Sequence, residues 1–402
     1  MAKDDPQEIP QGLEAFAKAA NKRYGVGALM TANHLSRIAV PRIPTGIWSL
    51  DKATGGGLPV GRFTQVFGWE STGKTTLYVR AIAEAQRICG NCYQPAELGP
   101  GEVITIDPLT NKVVSVESQV VVDCPCGHPR SLTMAWVDQE GTWDPAWATA
   151  HGVFPERLIM SWPEFAEEAV DIVEGLILSR SADIVVLDSV AAMSPSVEVK
   201  DSAQDFSGHP GTHARIMGTA LRKWNSAIQS MNRIARSQDD EYRVPSIWLV
   251  NQLREKIGVK FGNPETKPGG NAIKFFTSVE VRTGMGAGYK VDDKEMETKS
   301  VELKFKVTKN KTAPARQGGN YRVCIEPHDG YETGQVMEHK TVLDHAMKHH
   351  LVERVSDRKY TFAGQDFIGQ KQVIEYWKSQ PDVFAEVRRM VLQIALQGDE
   401  EY

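Results

Sequence analysis

The chain has 402 residues, of which 24% are charged, and a formal net charge of −5. This length predicts two or three domains and a sizeable core. The slight excess of acid argues against a protein that coats DNA through overall basic charge, although a local basic loop can still bind nucleic acid. The charged first residues and the lack of a run of 18 apolar residues predict no secretory signal, no membrane span and a cytoplasmic location.

Changes in composition along the chain predict four regions. Apolar residues at helical spacing between 11 and 30 predict an amphipathic helix, which together with a linker makes up residues 1–40. A core is expected over 41–334, with a cysteine-containing insertion over 89–130. The pattern of apolar and polar residues changes from about residue 335, so residues 335–402 are expected to form a small separate α/β domain.

The segment GWESTGKTT at 68–76 is the most informative feature of the sequence. It fits the pattern G-x-x-x-x-G-K-[ST], with a predicted strand before it and a predicted helix after it. In such loops the backbone N–H groups and the helix N-terminus surround nucleotide phosphates, while the lysine reaches the β- and γ-phosphates and the hydroxyl binds Mg²⁺. Lys74 is this lysine and Thr75 carries this hydroxyl. The expected nucleotide contacts are Gly68, Glu70, Ser71, Thr72, Gly73, Lys74, Thr75 and Thr76.

Three other polar residues follow apolar strands. Asp188 ends the run 182–188, a typical position for an acid that holds Mg²⁺ through water beside a phosphate loop. Glu140 follows the predicted strand 132–137, where it would activate the attacking water or be an ordinary solvated acid. Gln252 follows 247–250, where it would bind the γ-phosphate or simply cap the strand.

Short apolar strands alternate with helical segments through the core. This pattern predicts an α/β fold with a mostly parallel central sheet that helices cover on both faces. The segment 301–307 alternates strictly between apolar and polar residues instead, so we expect a half-exposed strand of the same or an adjoining sheet.

A long loop after Gln252 is a candidate for DNA binding. It spans 253–271 and places cations around apolar side chains, the composition that single-strand binding requires, although a solvated surface loop would look similar. The cations are Arg254, Lys256, Lys260 and Lys267, and the apolar residues are Ile257, Val259 and Phe261.

Four of the five cysteines fall within one short stretch. They are Cys89, Cys92, Cys124 and Cys126, and they flank a predicted hairpin of 103–106 with 113–122. Two cysteine pairs that close a small β unit predict a structural zinc site of the zinc-ribbon type, with His128 as a possible substitute for Cys126. Reduced cysteines without metal, or one disulfide, remain the alternative.

Several further motifs occur in order along the chain. They are TGIWSLD at 45–51, GGLPVGR at 56–62, LDSVAA at 187–192, ALRK at 220–223, the segment 251–275, KNKTAP at 309–314 and IGQK at 368–371. Together with the phosphate loop they resemble bacterial-type RecA recombinases over most of the chain. The resemblance implies an ATPase that forms a helical filament on single-stranded DNA and exchanges strands with a homologous duplex. The N-terminal helix resembles the one that packs each protomer on its neighbour, so a filament or ring is implied.

The resemblance also implies roles for residues of the nucleotide site. Glu140 would be the base that activates water, and Gln252 would sense the γ-phosphate and pass the signal to the DNA loop. Asp144 and Trp147 would contact the adenine side, with Trp147 standing where the family usually has Tyr. Lys309 and Lys311 would reach the ATP held by the neighbouring protomer, as an arginine finger does in trans.

DNA contacts are implied in two loops. The first loop, within 198–215, is longer than is usual in the family and differs from it in sequence, while Gly211, Arg215 and Arg222 match. The expected DNA-binding residues are Arg215, Arg222, Arg254, Lys256, Ile257, Gly258, Lys260, Phe261, Gly269, Gly270 and Asn271.

Two other functions would also account for part of the sequence. A nucleotide kinase with a zinc-stapled lid combines a phosphate loop with a four-cysteine insert, but it needs neither the loop 254–271 nor the lysines at 309 and 311. A DNA-binding filament that is switched by ATP but performs no strand exchange would account for the altered first loop.

Overall fold

The structure is a computed structural model that describes residues 12–25, 28–29, 40–107, 109–110, 112–200, 211–237, 244–255, 264–286, 299–314 and 317–397. Its strands are β1 (Arg42–Ile43), β2 (Leu58–Pro59), β3 (Phe63–Gly68), β4 (Glu97–Ile106), β5 (Val113–Asp123), β6 (Met134–Asp138), β7 (Leu158–Ser161), β8 (Ile184–Asp188), β9 (Ser246–Gln252), β10 (Arg254–Glu255), β11 (Glu265–Thr266), β12 (Val279–Met285), β13 (Ser300–Asn310), β14 (Gly318–Cys324), β15 (Glu353–Arg354), β16 (Lys359–Phe362) and β17 (Gln365–Ile368).

Helices connect and cover these strands. They are α1 (Leu13–Tyr24), α2 (Trp48–Thr54), α3 (Lys74–Ala85), α4 (Pro145–Ala150), α5 (Ala166–Ser179), α6 (Ser196–Lys200), α7 (Thr212–Ser237), α8 (Gly270–Phe276), α9 (His339–Lys348), α10 (Gly369–Ser379) and α11 (Pro381–Gln397), with a 3₁₀ turn at Pro155–Arg157. None of the helices in the described part of the chain is long and apolar enough to cross a bilayer.

An eight-stranded sheet forms the centre of the molecule. Its strand order is β14-β13-β12-β3-β9-β8-β6-β7. The strands from β12 to β7 are parallel to one another, whereas β13 pairs antiparallel with both of its neighbours, β12 and β14. The predicted α/β class with a mostly parallel sheet is therefore confirmed. The strictly alternating segment 301–307 lies in β13, whose residues alternate between the two faces.

Both faces of the parallel part of the sheet are buried. On one face, Val66 and Trp248 pack with Leu77 of α3. On the other face, Val185 and Leu249 pack among residues of α5 and α7. Every residue of β3 and β8 is buried, and β8 accordingly reads as a continuous apolar run up to Asp188, as parallel strands do.

The parallel arrangement brings the polar strand ends together. Gly68 at the end of β3 lies in register with Gln252 at the end of β9. Asp138 at the end of β6 lies in register with Asp188 at the end of β8. The carboxyl edge of the sheet is therefore the place where the phosphate loop and the predicted hydrolytic residues meet.

A third core lies in the C-terminal region. It joins apolar residues of α9, α10 and α11 with the fully buried Trp48 of α2. Ion pairs also join the C-terminal region to α2, because Arg388 of α11 contacts both Glu338 and Asp51 of α2. The C-terminal region is thus attached to the large sheet through α2.

The insertion forms a long two-stranded hairpin of β4 and β5. Its first strand begins six residues before the predicted one and ends with it at 106, and its second strand begins at 113 as predicted and ends one residue later, at 123. The hairpin carries exposed apolar residues toward its tip, including Ile104, Ile106 and Val113. Its middle contacts the 3₁₀ turn, where Ser118 Oγ donates to Glu156 Oε1 at 2.6 Å.

Candidate functional site

The phosphate loop joins the end of β3 to the start of α3. Ser71 and Gly73 adopt positive φ angles of 56° and 77°, and Gly73 is the residue that precedes the helix. A Cβ at Gly68 would lie 2.4 Å from Thr283 Oγ1, so only glycine fits there. Left-handed backbone at the start of a helix allows successive N–H groups to turn toward one anion.

Lys74 folds back onto its own loop. Its Nζ donates to the carbonyl of Trp69 at 2.7 Å, and the hydroxyl of Thr72 donates to the same oxygen at 2.7 Å. Burial lowers the pKa of Lys74, although carboxylates nearby, including Glu140 and Asp188, act to raise it. The loop therefore holds a partly desolvated cation at its centre, where it can pair with phosphate.

Thr75 and Asp188 lie in contact, as expected for a shared metal site. Thr75 Oγ1 donates to Asp188 Oδ2 at 2.9 Å. Asp188 is almost fully buried, and within the described part of the chain its other oxygen, Oδ1, has no hydrogen-bond partner. Burial first, and then Glu140, raise the pKa of Asp188 to about 7. An unpaired carboxylate oxygen next to a hydroxyl fits a hard cation such as Mg²⁺, whose charge would restore the ionised acid.

Glu140 receives two hydrogen bonds from neighbouring strand ends. Its Oε1 accepts from the hydroxyl of Ser189 and from Nε2 of Gln252, the latter at 2.7 Å. The carboxylate that could activate water is thus held between the Mg²⁺-site strand β8 and the strand that leads into the DNA loop, β9.

Sequence reasoning missed the role of Asp138. This buried acid accepts from the backbone N–H groups of Glu140 at 3.0 Å, Gly141 at 2.9 Å and Trp143 at 3.1 Å. It therefore fixes the turn that carries Glu140. The signal in the sequence was present, since an Asp followed by a glycine three residues later is typical of such turns.

Asp144 and Trp147 stand at the start of α4. The Asp144 carboxylate caps this helix by accepting from the N–H groups of Ala146 at 2.8 Å and Trp147 at 3.1 Å. The indole of Trp147 is half-buried and packs edge-on against His151, with ring centroids 4.5 Å apart. The Asp144 carboxylate therefore fixes the first turn of the helix that carries Trp147.

The predicted DNA-binding residues fall into two groups. Residues 256–263, which include Lys256, Ile257, Gly258, Lys260 and Phe261, lie outside the described residues, as do 201–210 of the first loop. The described ones surround these gaps: Arg254 in β10, Gly269, Gly270 and Asn271 at the start of α8, and Arg215 and Arg222 on α7.

Local contacts position those residues predicted to bind DNA that the structure describes. Arg254 is exposed and donates to the carbonyl of Ala191 at 3.1 Å, which links the base of the second loop to the end of β8. Gly269 and Gly270 both have positive φ, 87° and 73°, and a Cβ on Gly269 would lie 2.4 Å from Ile273. The exposed Arg222 donates to Thr219 on its own helix.

Lys267 does not join the DNA-facing cations, contrary to the loop composition. Its Nζ donates to Glu280 Oε2 at 2.9 Å and to Gln65 Oε1 at 2.8 Å, and it stands 4.1 Å from the ring centre of Phe67. This lysine therefore pins the end of the loop to β3 and β12. The composition of the loop does not distinguish a lysine that binds DNA phosphates from a lysine that pairs with a partly buried acid of the same chain.

Lys309 and Lys311 lie at the end of the sheet opposite the phosphate loop. β12 runs parallel to β3, and Lys309 pairs with Glu280 near the start of β12. Both ammonium groups donate to backbone carbonyls at the end of α8, Lys309 to Lys274 and Lys311 to Phe275. Burial, and then Lys311, lower the pKa of Lys309. The two lysines are thus remote from the nucleotide site of their own chain.

Comparison with known proteins matches this arrangement to one family. Residues 11–99 and 119–325 match the model of the RecA N-terminal domain. The chain belongs to the RecA family. It is 33% identical to Protein RecA of Levilactobacillus brevis over 98% of this chain and 87% of that protein. It is also 33% identical to Protein RecA of Thermus aquaticus, over 96% of this chain and 94% of that protein. Its identity to Protein RecA of Aquifex pyrophilus is 32%, over 96% of this chain and 93% of that protein.

Membership of the RecA family gives the activity. The chain is a DNA-dependent ATPase and a recombinase that pairs homologous DNA and exchanges strands. Neither alternative interpretation, the zinc-lid kinase or the filament without strand exchange, is needed to account for the matches.

The cysteine cluster lies where the RecA family model is interrupted, next to the unmatched residues 100–118. The Sγ atoms of Cys89, Cys92, Cys124 and Cys126 all lie within 4.8 Å of one another, and none is in a disulfide. Four thiolates around tetrahedral Zn²⁺ would lie about 3.8 Å apart, so the residues fit this ion. The imidazole of His128 is not part of the group, and only its carbonyl contacts the sulfurs.

The environment of Cys89 favours a thiolate. Burial acts to raise its pKa, but backbone N–H groups of Cys92 and Asn91 and a contact from Arg130 outweigh burial and lower the pKa of Cys89 to about 6. Thiolates are the form that binds metal. Because Cys89 follows α3 closely, a metal here would also fix the end of the phosphate-loop helix.

Arg130 joins this cluster to the RecA-type core, a link that the sequence did not reveal. Its guanidinium donates to the carbonyl of Gly90 at 2.6 Å and to Asn91 Oδ1 at 2.9 Å. It also pairs with Asp183, just before β8, at 2.9 Å. The cluster is therefore attached to the amino edge of the sheet, opposite the phosphate loop.

Proposed function

We propose that Glu140 is the water-activating base of this ATPase and that Gln252 reports the state of the nucleotide to the DNA loop. The observation that carries the proposal is the position of Glu140 Oε1, which accepts hydrogen bonds from both Ser189 and Gln252. A base at this edge of the sheet can take the proton of an attacking water, while Asp188 and Thr75 hold Mg²⁺ and Lys74 offsets phosphate charge. Mg²⁺ bound there would neutralise charge on the phosphate oxygens.

The coupling to DNA follows from the chain direction. Gln252 ends β9, and the DNA loop begins at the next residues. If the amide of Gln252 turned from Glu140 to a γ-phosphate, the start of the loop would move with it and Glu140 would be freed for water. Arg254 and the cations and apolar residues of 256–261 would then contact single-stranded DNA.

Two variants separate nucleotide binding from hydrolysis. Lys74→Ala should weaken nucleotide binding and abolish hydrolysis, whereas Glu140→Gln should bind ATP and hold single-stranded DNA but hydrolyse ATP at least about a hundred-fold more slowly, the scale of a lost general base. The matched control is Glu326→Gln, an exposed acid outside the site. Glu140→Gln with normal hydrolysis would contradict the assignment of the base.

Lys309 and Lys311 are proposed to act on the ATP of a neighbouring protomer in a filament or ring. Their distance from the phosphate loop of their own chain supports this, as does the exposed, unburied helix α1, which has apolar residues to pack on a second copy. In such an assembly their charge would stabilise the transition state in trans.

A mixing experiment tests the trans arrangement. Lys74→Ala and the double variant Lys309→Ala/Lys311→Ala should each be inactive alone. Mixed together they should regain part of the DNA-stimulated hydrolysis, because some interfaces then combine an intact phosphate loop with intact lysines. No recovery in mixtures that still co-assemble would place the lysines outside the site.

A structural Zn²⁺ held by Cys89, Cys92, Cys124 and Cys126 is the last part of the proposal. The four sulfurs converge at the base of an otherwise thinly packed hairpin, where a metal can replace a missing core. The hairpin itself is acidic: residues 97–123 contain five Asp or Glu and one Lys. This charge disfavours a DNA-binding role for the hairpin.

A further inference from the structure

The phosphate loop and the DNA loop are also joined by a side chain outside the catalytic set. Trp69, the second residue of the phosphate loop, is 38% exposed, and its indole Nε1 donates to Glu265 Oε1 at 3.3 Å. Glu265 belongs to β11, which pairs with β10 and so closes the base of the segment 256–264. One hydrogen bond therefore spans the two loops that bind nucleotide and DNA.

Glu265 is itself held firmly. The same oxygen, Oε1, accepts from Arg282 Nη2 at 2.6 Å, and the Glu265 side chain is only 19% exposed. Arg282 lies on β12, and its neighbour Thr283 shares a 2.8 Å hydrogen bond with Thr72 of the phosphate loop. Adjacent residues of β12 thus brace both loops against the sheet.

The main chain of Trp69 faces the nucleotide side. Its carbonyl oxygen accepts from Lys74 Nζ and from Thr72 Oγ1, each at 2.7 Å. If Lys74 turned to a phosphate, its ammonium would share its three donors between that phosphate and this oxygen or leave the oxygen. Nucleotide binding would then change the hydrogen bonding of the same residue whose indole contacts the base of the DNA loop.

We propose that Trp69 is a positioning residue that couples nucleotide binding to the DNA loop through its hydrogen bond to Glu265. This route is separate from the one through Gln252, because it reaches the returning strand β11 rather than the start of the loop. The inference rests on the proposed function, in which the nucleotide site and the DNA loop are coupled. Coupling is reciprocal, so ATP should tighten DNA binding by the factor by which DNA tightens ATP binding.

The test is a double-mutant cycle on this coupling. The variants are Trp69→Phe, which keeps the ring but removes the N–H donor, Glu265→Ala, and the two combined. The matched control is Trp162→Phe, a 62% exposed tryptophan outside both loops. Two quantities are measured: the ratio of ATP hydrolysis with and without single-stranded DNA, and the ratio of oligonucleotide affinities with a non-hydrolysable ATP analogue and with ADP.

The proposal expects both ratios to fall by about five-fold or more in Trp69→Phe, the lower range of allosteric coupling. Trp69→Phe should have no further effect in the Glu265→Ala background, because the two residues act through one bond. A merely structural role would lower thermal stability and scale all rates together without changing the ratios.

Three results would overturn the inference. They are ratios in Trp69→Phe equal to those of Trp162→Phe, a further loss from Trp69→Phe once Glu265 is absent, or a uniform loss of activity with unchanged ratios. If the wild-type chain itself showed no stimulation by DNA, the proposed function would fail, and that outcome is distinct from the other three. Should Trp69→Phe fold poorly, Glu265→Ala examines the same bond from the other partner.

Discussion

Glu140 Oε1 and Gln252 Nε2 lie 2.7 Å apart, so the base proposed for hydrolysis and the residue that begins the DNA loop share one hydrogen bond. They come from different strands and are brought together because β6, β8 and β9 end at the same edge of the sheet. In the proposed function, this contact couples ATP hydrolysis to the state of the DNA loop.

Gln252→Ala should uncouple ATP hydrolysis from the binding of single-stranded DNA. The amide can no longer move between Glu140 and a γ-phosphate, so stimulation of hydrolysis by single-stranded DNA should fall about ten-fold or more, within the range of a coupling energy. Phosphate release measured with and without DNA gives the ratio. Gln139→Ala is a nearby control, because Gln139 donates to the carbonyl of Pro163 rather than to Glu140. A full response to DNA in Gln252→Ala would contradict the role of this amide.

Removing metal from the cysteine cluster should destabilise the protein. A chelator of high zinc affinity, or Cys124→Ser, should lower the thermal midpoint by several degrees, because metal binding to a folded site adds to folding free energy. Metal analysis of the purified chain should find about one Zn²⁺, as a four-thiolate site requires. Cys324→Ser, at a cysteine outside the cluster, should keep the metal. An unchanged midpoint after metal loss would contradict a structural role.

His151 should contribute to acid sensitivity. His151 is 1% exposed, neither of its ring nitrogens has a hydrogen-bond partner among the described residues, and burial, with Arg80 nearby, lowers the pKa of His151 to about 3. In the unfolded chain, His151 binds a proton near pH 6.5. The contribution of neutral His151 to the free energy of unfolding is therefore fully present above pH 6.5, and it is lost as the pH falls toward 3.

The measurement is the free energy of unfolding between pH 6 and pH 4.5. His151→Leu should make its decline shallower by about 1.4 kcal/mol per pH unit, the value for one proton. The exposed His350→Asn is the control and should leave the slope as it is. Parallel curves for wild type and His151→Leu would show that His151 is not the buried titrating group.

Arg388 should matter far more than its neighbour Arg389. Arg388 Nε pairs with Glu338 at 2.5 Å, and its Nη2 lies 3.4 Å from the fully buried Asp51. Glu338 also accepts a hydrogen bond from the backbone N–H of Trp48 at 2.8 Å. Arg388→Met leaves two buried carboxylates without their cation, so unfolding free energy should fall by about 3–5 kcal/mol.

Arg389→Met is the matched control. It removes only an exposed pair with Glu386, so the free energy of unfolding should change little. Chemical denaturation followed by circular dichroism gives both values. Equal effects of the two substitutions would contradict the role of Arg388 in attaching the C-terminal region.

The sequence predicted those parts of the site that depend on local pattern. The phosphate loop, the apolar strand that ends in Asp188 and the polar residues at 140 and 252 are read from spacing alone, because parallel strands bring such ends together. The alternation in β13 likewise predicted a strand with two different faces.

Contacts between distant segments could not be predicted in this way. Lys267 has the composition of a DNA-binding cation, yet Glu280, 13 residues away, pairs with it. The links of Arg130 to Asp183 and of Trp69 to Glu265 join segments separated by 53 and 196 residues. Such partners depend on the tertiary fold, and the identity of each residue alone is compatible with a solvated side chain.

The most direct test of the account is ATP hydrolysis by the wild-type chain and by Glu140→Gln, each measured with and without single-stranded DNA at fixed salt. The account predicts strong stimulation of the wild type by DNA, and no hydrolysis above background in Glu140→Gln under either condition, although this variant still binds DNA when ATP is present. Hydrolysis by the wild type that is indifferent to DNA, or a Glu140→Gln variant that remains active, would contradict it.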